Sequence, residues 1–145
     1  MADAKGNVSA VLHLSESAYR RMIAHCYDGL PLEACGLLAG KHGHSRASDC
    51  YPTRNDAASA RIYTVNPLDF LKADRATEAA GSEIVGVFHS HTHTDAYPSP
   101  TDVAQAPDPD WHYVLVSLRD EAPVVRSYRI ADGKIDEEPV VLEAG

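Results

Sequence analysis

Cysteine is scarce in this chain and badly spaced for a framework. The 145 residues include three, Cys26, Cys35 and Cys50. An odd number with no C-x-x-C pair argues against a disulfide scaffold and against a cysteine-built zinc site, so reduced, mostly buried thiols are expected. Long apolar runs are missing too: residues 36–40 and 113–118 are among the longest, far short of the roughly 20 residues a membrane-spanning helix needs. The N-terminus lacks the apolar core of a signal peptide. Together these absences point to a cytoplasmic protein with no membrane partner. Positive charge is also in short supply, with 13 Lys and Arg against 21 Asp and Glu and a formal net charge of −8. Such a surface repels phosphate backbones, and nucleic acid is not an expected partner. The nine glycines and nine prolines are spread along the chain, which excludes collagen-like and low-complexity readings.

What is present suits one globular domain. Apolar residues make up 44% of the chain, and a chain of this length removes roughly 70% of its unfolded surface from water on folding. Residues 1–7 are small and polar and expected to be disordered, leaving 8–145 as the domain. A strand over 10–14 leads to Ser15 or Ser17 as the cap of a helix in which Ala18, Met22, Ile23 and Cys26 recur at helical spacing. Gly29 and Pro31 stop it near Tyr27. Residues 35–39 form an apolar run, and strands are predicted over 48–53 and 61–65. Asn66-Pro67 opens a second helix that closes at Gly81. A buried strand over 84–88 follows and runs straight into His89-Ser90-His91-Thr92-His93. Beyond it, Ser99-Pro100-Thr101-Asp102 reads as a short helix start, and strands are predicted over 113–118, 124–130 and 134–141. Asp132-Gly133 is a hairpin signal.

Side chains two apart on a strand point the same way, so His89 and His91 can meet one metal ion. By spacing alone His93 is a third candidate, although Thr92, Thr94, Asp95 and Pro98 signal a loop that turns it away. Two histidines hydrogen-bonded inside a core would give the same pattern. Ser99 and Asp102 have the spacing of a helix capping box, and equally Asp102 could be the carboxylate that completes two His and one Asp, leaving a fourth position open to water. A hydrolytic metal site also needs a base. Glu33, in the otherwise apolar stretch Leu30-Pro31-Leu32-Glu33-Ala34-Cys35-Gly36-Leu37-Leu38, is the candidate, because a carboxylate buried there is costly unless it has a use or a partner. An exposed loop Glu is the alternative.

Taken together, Glu33, then His89-Ser90-His91, then Ser99-x-x-Asp102 resemble the JAMM signature of the MPN-domain metalloproteases, a superfamily of isopeptidases and deubiquitinases. The likeness continues through Glu33-Ala34-Cys35-Gly36-Leu37-Leu38-Ala39-Gly40, Ala96-Tyr97-Pro98-Ser99 and His112-Tyr113-Val114-Leu115-Val116-Ser117. Within the family it is to small actinobacterial members that release cysteine from a ubiquitin-like sulfur carrier. The resemblance implies an α/β fold: a single domain with a mixed, mostly antiparallel, curved β-sheet flanked by helices, a cytidine-deaminase-like three-layer sandwich. It implies one zinc ion per chain held by His89, His91 and Asp102, with Glu33 as general base and later proton donor to the leaving amine. Ser99 would stabilise the oxyanion, Ser90 would be a small spacer, and His93 would have no role. Thr92 stands where many members have proline, which bears on loop shape rather than on the ligands.

The implied function is hydrolysis of the C-terminal peptide or isopeptide bond of a ubiquitin-like sulfur-carrier protein with a Gly-Gly-type tail, releasing cysteine from a carrier-Gly-Cys adduct in sulfur metabolism. A deubiquitinase-like isopeptidase and a non-catalytic MPN-like binding module are the alternatives, and a homodimer is left open. The short segment between Asp102 and Trp111 leaves no room for the insertions by which larger deubiquitinases grip ubiquitin. Length excludes a TIM-barrel amidohydrolase with the same H-x-H pair. The predicted helices fit a cupin badly, and Cys35 lies in too apolar a run for a cysteine nucleophile.

Overall fold

The computed structural model describes residues 11–41, 43 and 45–145; the expected disorder over 1–7 lies outside the described residues. Strand β1 (Leu12–Ser15) ends in the cap of helix α1 (Glu16–Asp28), where the Ser15 hydroxyl accepts the Ala18 N–H at 3.1 Å. Ala18, Met22 and Cys26 form the buried stripe of α1, as their three-to-four-residue spacing predicts. The apolar run becomes β2 (Cys35–Gly40), buried at every position. Short β3 (Arg46–Ala47) and β4 (Asp49–Thr53) follow. Helix α2 (Pro67–Ala79) starts with Pro at its first position, and the Asn66 side chain accepts the Asp69 N–H at 2.9 Å.

Strand β5 (Glu83–His91) is the spine of the molecule. With α3 (Pro100–Ala104), β6 (His112–Ser117), β7 (Val124–Ala131), β8 (Lys134–Glu138) and β9 (Val140–Glu143), it completes the described elements. Six strands form one sheet in the order β4-β2-β5-β6-β7-β8. Only the β5–β6 pair in it is parallel. This is the mixed, mostly antiparallel sheet expected. Asp132 and Gly133 both take positive φ, 51° and 77°, in the two-residue turn that joins β7 to β8.

The sheet has helices on both faces. On one, α1 and β1 pack Leu12, Leu14, Met22 and Cys26 against Leu38, Val85, Phe88 and Val114. On the other, Ala73 and Phe70 of α2 meet Leu37, Val87 and Leu115. Gly36 allows the first layer to close, because a Cβ there would lie 2.7 Å from the Tyr51 carbonyl oxygen and inside the Phe88 ring. All three cysteines are buried free thiols, as expected.

Two strand predictions fail for physical reasons. Residues 61–65 are not a strand; their one ladder contact is an isolated bridge between Asn55 and Val65. The Asn55 side chain takes the place of a neighbouring strand, accepting the Thr64 N–H at 2.8 Å and donating to the Ile62 carbonyl at 3.3 Å. The predicted strand over 134–141 is two strands divided at Pro139, which has no N–H to continue a ladder. Strand β9 leaves the main sheet and pairs parallel with β1, which pairs parallel with β3 on its other side. A second, three-stranded sheet results, with no counterpart in the prediction. No described helix is long and apolar enough to cross a membrane.

Candidate metal centre

Strand β5 stays extended for three residues beyond the predicted 84–88 and therefore carries both histidines. Its alternation sends His89 and His91 to one face and Ser90 to the other. The strand ends at His91, and His93 is exposed. The third donor comes from α3, where the capping box is present as predicted: the Ser99 hydroxyl accepts the Asp102 N–H at 3.0 Å and Asp102 Oδ2 accepts the Ser99 N–H at 2.8 Å. The cap and the ligand reading of Asp102 thus coexist, since fixing the first turn of α3 aims the same carboxylate at the histidines.

The three donor atoms form a nearly equilateral triangle. His89 Nε2 lies 3.1 Å from Asp102 Oδ2, His91 Nε2 lies 3.2 Å from it, and the two Nε2 atoms are 3.2 Å apart. Ligands placed tetrahedrally at zinc–nitrogen and zinc–oxygen distances sit about 3.3 Å from one another. His91 Nδ1 donates to the Asp95 carbonyl at 2.8 Å, which leaves Nε2 of the neutral ring as a bare lone pair. A proton can bridge two of these atoms; a metal ion satisfies all three. His89, His91 and Asp102 are buried, and among the described residues they are the one group of His, Cys, Asp and Glu side chains able to hold a metal ion. Burial pulls the His89 pKa down. Burial opposes ionisation of Asp102 as well, but the imidazoles of His89 and His91 beside it and the Ser99 N–H outweigh it and hold the carboxyl well below its ordinary range.

Glu33 is buried, 4% exposed, and so is not an exposed loop residue. It lies just before β2, with its N–H on the Ser59 carbonyl at 2.8 Å and its carbonyl accepting from Asn55 Nδ2 at 3.0 Å. Among the buried side-chain oxygens and nitrogens of the described residues, Glu33 Oε1 alone has no hydrogen-bond partner. Burial pushes the Glu33 pKa up to about 7, with the His91 charge opposing the rise and the Asp102 charge adding to it. A carboxyl held near neutrality is suited to taking and returning a proton. Glu33, His91 and Ser99 share a cleft of about 330 Å³ with Ala60, Arg61, Thr92, His93 and Thr94. The Ser99 oxygen accepts from Asp102, so its own proton is free to point into that cleft.

Sequence reasoning missed two contributions. Ser90 is more than a spacer: its hydroxyl accepts the Ala34 N–H at 2.9 Å, and its own N–H donates to the Ala34 carbonyl at 2.9 Å. The middle residue of H-x-H therefore pins the residue after Glu33. Tyr63 stacks on His89 with ring centroids 4.1 Å apart and also walls an apolar cleft of about 450 Å³ lined by Leu37, Phe70, Val87 and Trp111. No sequence signal marks Tyr63, because Asn55 rather than a regular strand places it.

Residues 15–131 match the family of prokaryotic homologues of the JAB domain. The chain is 46% identical over 137 residues to the CysO-cysteine peptidase of Mycobacterium tuberculosis, covering 94% of this chain and 93% of that one. It is 33% identical over 114 residues to a desampylase of Haloferax volcanii, covering 75% and 82%. The solution structure of a protein from Desulfitobacterium hafniense superimposes with a TM-score of 0.84 and 33% identity, covering 92% and 94%.

Proposed function

The chain belongs to the family of prokaryotic homologues of the JAB domain, and from that premise we propose that it is a cytoplasmic zinc peptidase acting at the C-terminus of a ubiquitin-like sulfur carrier. The bond cut joins the carrier's terminal glycine to cysteine. The observation that carries this reading is the triangle of His89, His91 and Asp102 beside the unpartnered, buried Glu33 Oε1. The peptidase and desampylase relatives support a ubiquitin-like substrate, and the CysO-cysteine peptidase supports cysteine as the leaving group.

In this reading His89, His91 and Asp102 hold the zinc. When bound, zinc supplies Lewis acidity toward the scissile carbonyl and a nucleophile at neutral pH. Glu33 takes the proton of the attacking water at its free oxygen and delivers it to the departing nitrogen. Ser99 donates its hydroxyl proton to the oxyanion, a preorganised contact that strengthens as charge develops. The Asp95 carbonyl fixes the His91 ring, and Ser90 holds Glu33 at its distance from the triangle. Thr92 Oγ1 donates to the Ala60 carbonyl at 3.5 Å, which ties the loop after His91 to the segment before Arg61 in the cleft lining.

The test is mass spectrometry of a carrier bearing a C-terminal cysteine adduct, incubated with zinc-loaded enzyme and with a chelated control. Loss of one cysteine residue with zinc alone is expected. Cleavage confined to lysine-linked conjugates would overturn the cysteine assignment in favour of the isopeptidase reading that the desampylase relative suggests.

A further inference from the structure

Arg61 sits beside the proposed reaction centre and has no structural task. Most arginines of the chain are tied to carboxylates: Arg20 to Glu16, Arg46 to Glu143, Arg54 to Asp69, Arg119 to Asp95, Arg126 to Glu137 and Arg129 to Glu138. The Arg61 side chain has no ion pair among the described residues. Arg21 and Arg75 are alike in this but lie on the exposed faces of α1 and α2, whereas Arg61 lines the cleft with Glu33, His91 and Ser99. In a protein of net charge −8, an uncommitted guanidinium at the mouth of a cleft with a buried, unpartnered carboxyl oxygen is placed to receive an anion.

Its link to Glu33 points to which anion. The Glu33 N–H is bonded to the Ser59 carbonyl, two residues before Arg61, and the Ser59 hydroxyl accepts the Arg61 N–H at 2.9 Å. The Arg61 backbone is therefore tied through Ser59 to Glu33, and its neighbour Ala60 meets Thr92 at 3.5 Å, so Arg61 lines the same cleft as Glu33, His91 and Ser99. Glu33 is the group that hands a proton to the leaving nitrogen. In a single amino acid cut from a chain end, the α-carboxylate is attached to the carbon that bears that nitrogen. A lysine side chain leaving an isopeptide has no carboxylate there.

We propose that Arg61 binds the free α-carboxylate of the departing residue and so sets the preference for a free chain end over a lysine-linked conjugate. The reaction adds water across carrier–CO–NH–CHR–COO⁻ to give carrier–COO⁻ and ⁺H₃N–CHR–COO⁻, and the guanidinium contacts substrate throughout without exchanging a proton. This assignment deepens the metallopeptidase reading and rests on it.

The experiment compares two synthetic carrier-tail peptides ending in Gly-Gly-Cys, one with a free C-terminal carboxylate and one with a carboxamide. Their kcat/KM is measured with wild type, Arg61→Ala and Arg61→Lys, and their binding is measured calorimetrically to zinc-loaded Glu33→Gln with and without Arg61→Ala. Wild type should prefer the acid by about tenfold or more, the scale of one charge-assisted hydrogen-bond pair. Arg61→Ala should erase that preference by slowing only the acid, Arg61→Lys should restore part of it, and the binding preference should vanish in parallel. Equal rates and equal binding for acid and amide in the presence of Arg61 would overturn the proposal. So would an Arg61→Ala variant that slows both peptides equally. Failure of the underlying reading looks different: neither peptide is cleaved with zinc, and the binding arm still decides the role of Arg61.

Discussion

Two buried clusters of histidine and carboxylate lie near opposite ends of β6, and they differ in donor balance. Near its start His112 Nδ1 meets Glu138 Oε2 at 2.5 Å, Ser127 Oγ donates to the same oxygen at 2.7 Å, and Arg129 Nε donates to Glu138 Oε1 at 3.2 Å. Arg129 also donates to the Asp110 carbonyl at 2.7 Å. Both carboxylate oxygens are matched, and no further ligand is called for. Near its end, beside His91 on neighbouring β5, three atoms that can each offer a lone pair to a metal face one another across 3.1 to 3.2 Å with an unpartnered glutamate oxygen close by. Burial of His with Asp or Glu is common to both. What separates a fastening from a reactive centre is whether the acceptors outnumber the donors.

The contrast can be broken most forcefully at Glu33. Glu33→Gln removes the proton carrier and should lower kcat by about 100- to 10,000-fold while zinc content, read by elemental analysis, stays at one per chain. At the closed cluster the cost should fall on stability instead: His112→Ala should keep zinc but cost about 2 to 4 kcal/mol in denaturant unfolding, because it empties a buried ring site and leaves Glu138 Oε2 with Ser127 alone. Loss of zinc there with unchanged stability would erase the distinction.

The next expectation concerns pH in the metal-free protein. The folded-state pKa of Glu33, about 7, lies above its ordinary value of 4.5, so between those values the folded state holds more protons than the unfolded one. Stability should therefore fall as pH rises from about 4.5 to 7, and the fall should be smaller in Glu33→Gln, compared by urea denaturation at pH 5 and pH 8. The smallest effect is expected at His93, where substitution by Ala should leave zinc content and fold unchanged, since the side chain is exposed and lies beyond the strand.

Legibility from the sequence followed the periodicity. The helices with Ser15 and Asn66 caps, the H-x-H strand and the Asp132-Gly133 turn were readable because local chemistry alone dictates them. Glu33 was readable as a charge out of place in an apolar stretch, and its family resemblance supplied the partners. Ser90 and Tyr63 were not readable. Ser90 acts through Ala34, 56 residues away in sequence, and Tyr63 sits in a segment of strand-like composition whose backbone is instead claimed by an Asn55 side chain. Pro139 was visible, but that it sends β9 to a second sheet beside β1 depends on a long-range pairing no local pattern encodes.

The most direct measurement is a zinc titration of chelator-stripped protein followed by native mass spectrometry, on wild type and Asp102→Ala side by side. The structure predicts one zinc per wild-type chain and none retained by the variant under the same conditions. A wild type that takes up no zinc, or a variant that retains it equally well, would contradict the claim that the triangle of His89, His91 and Asp102 is a metal centre.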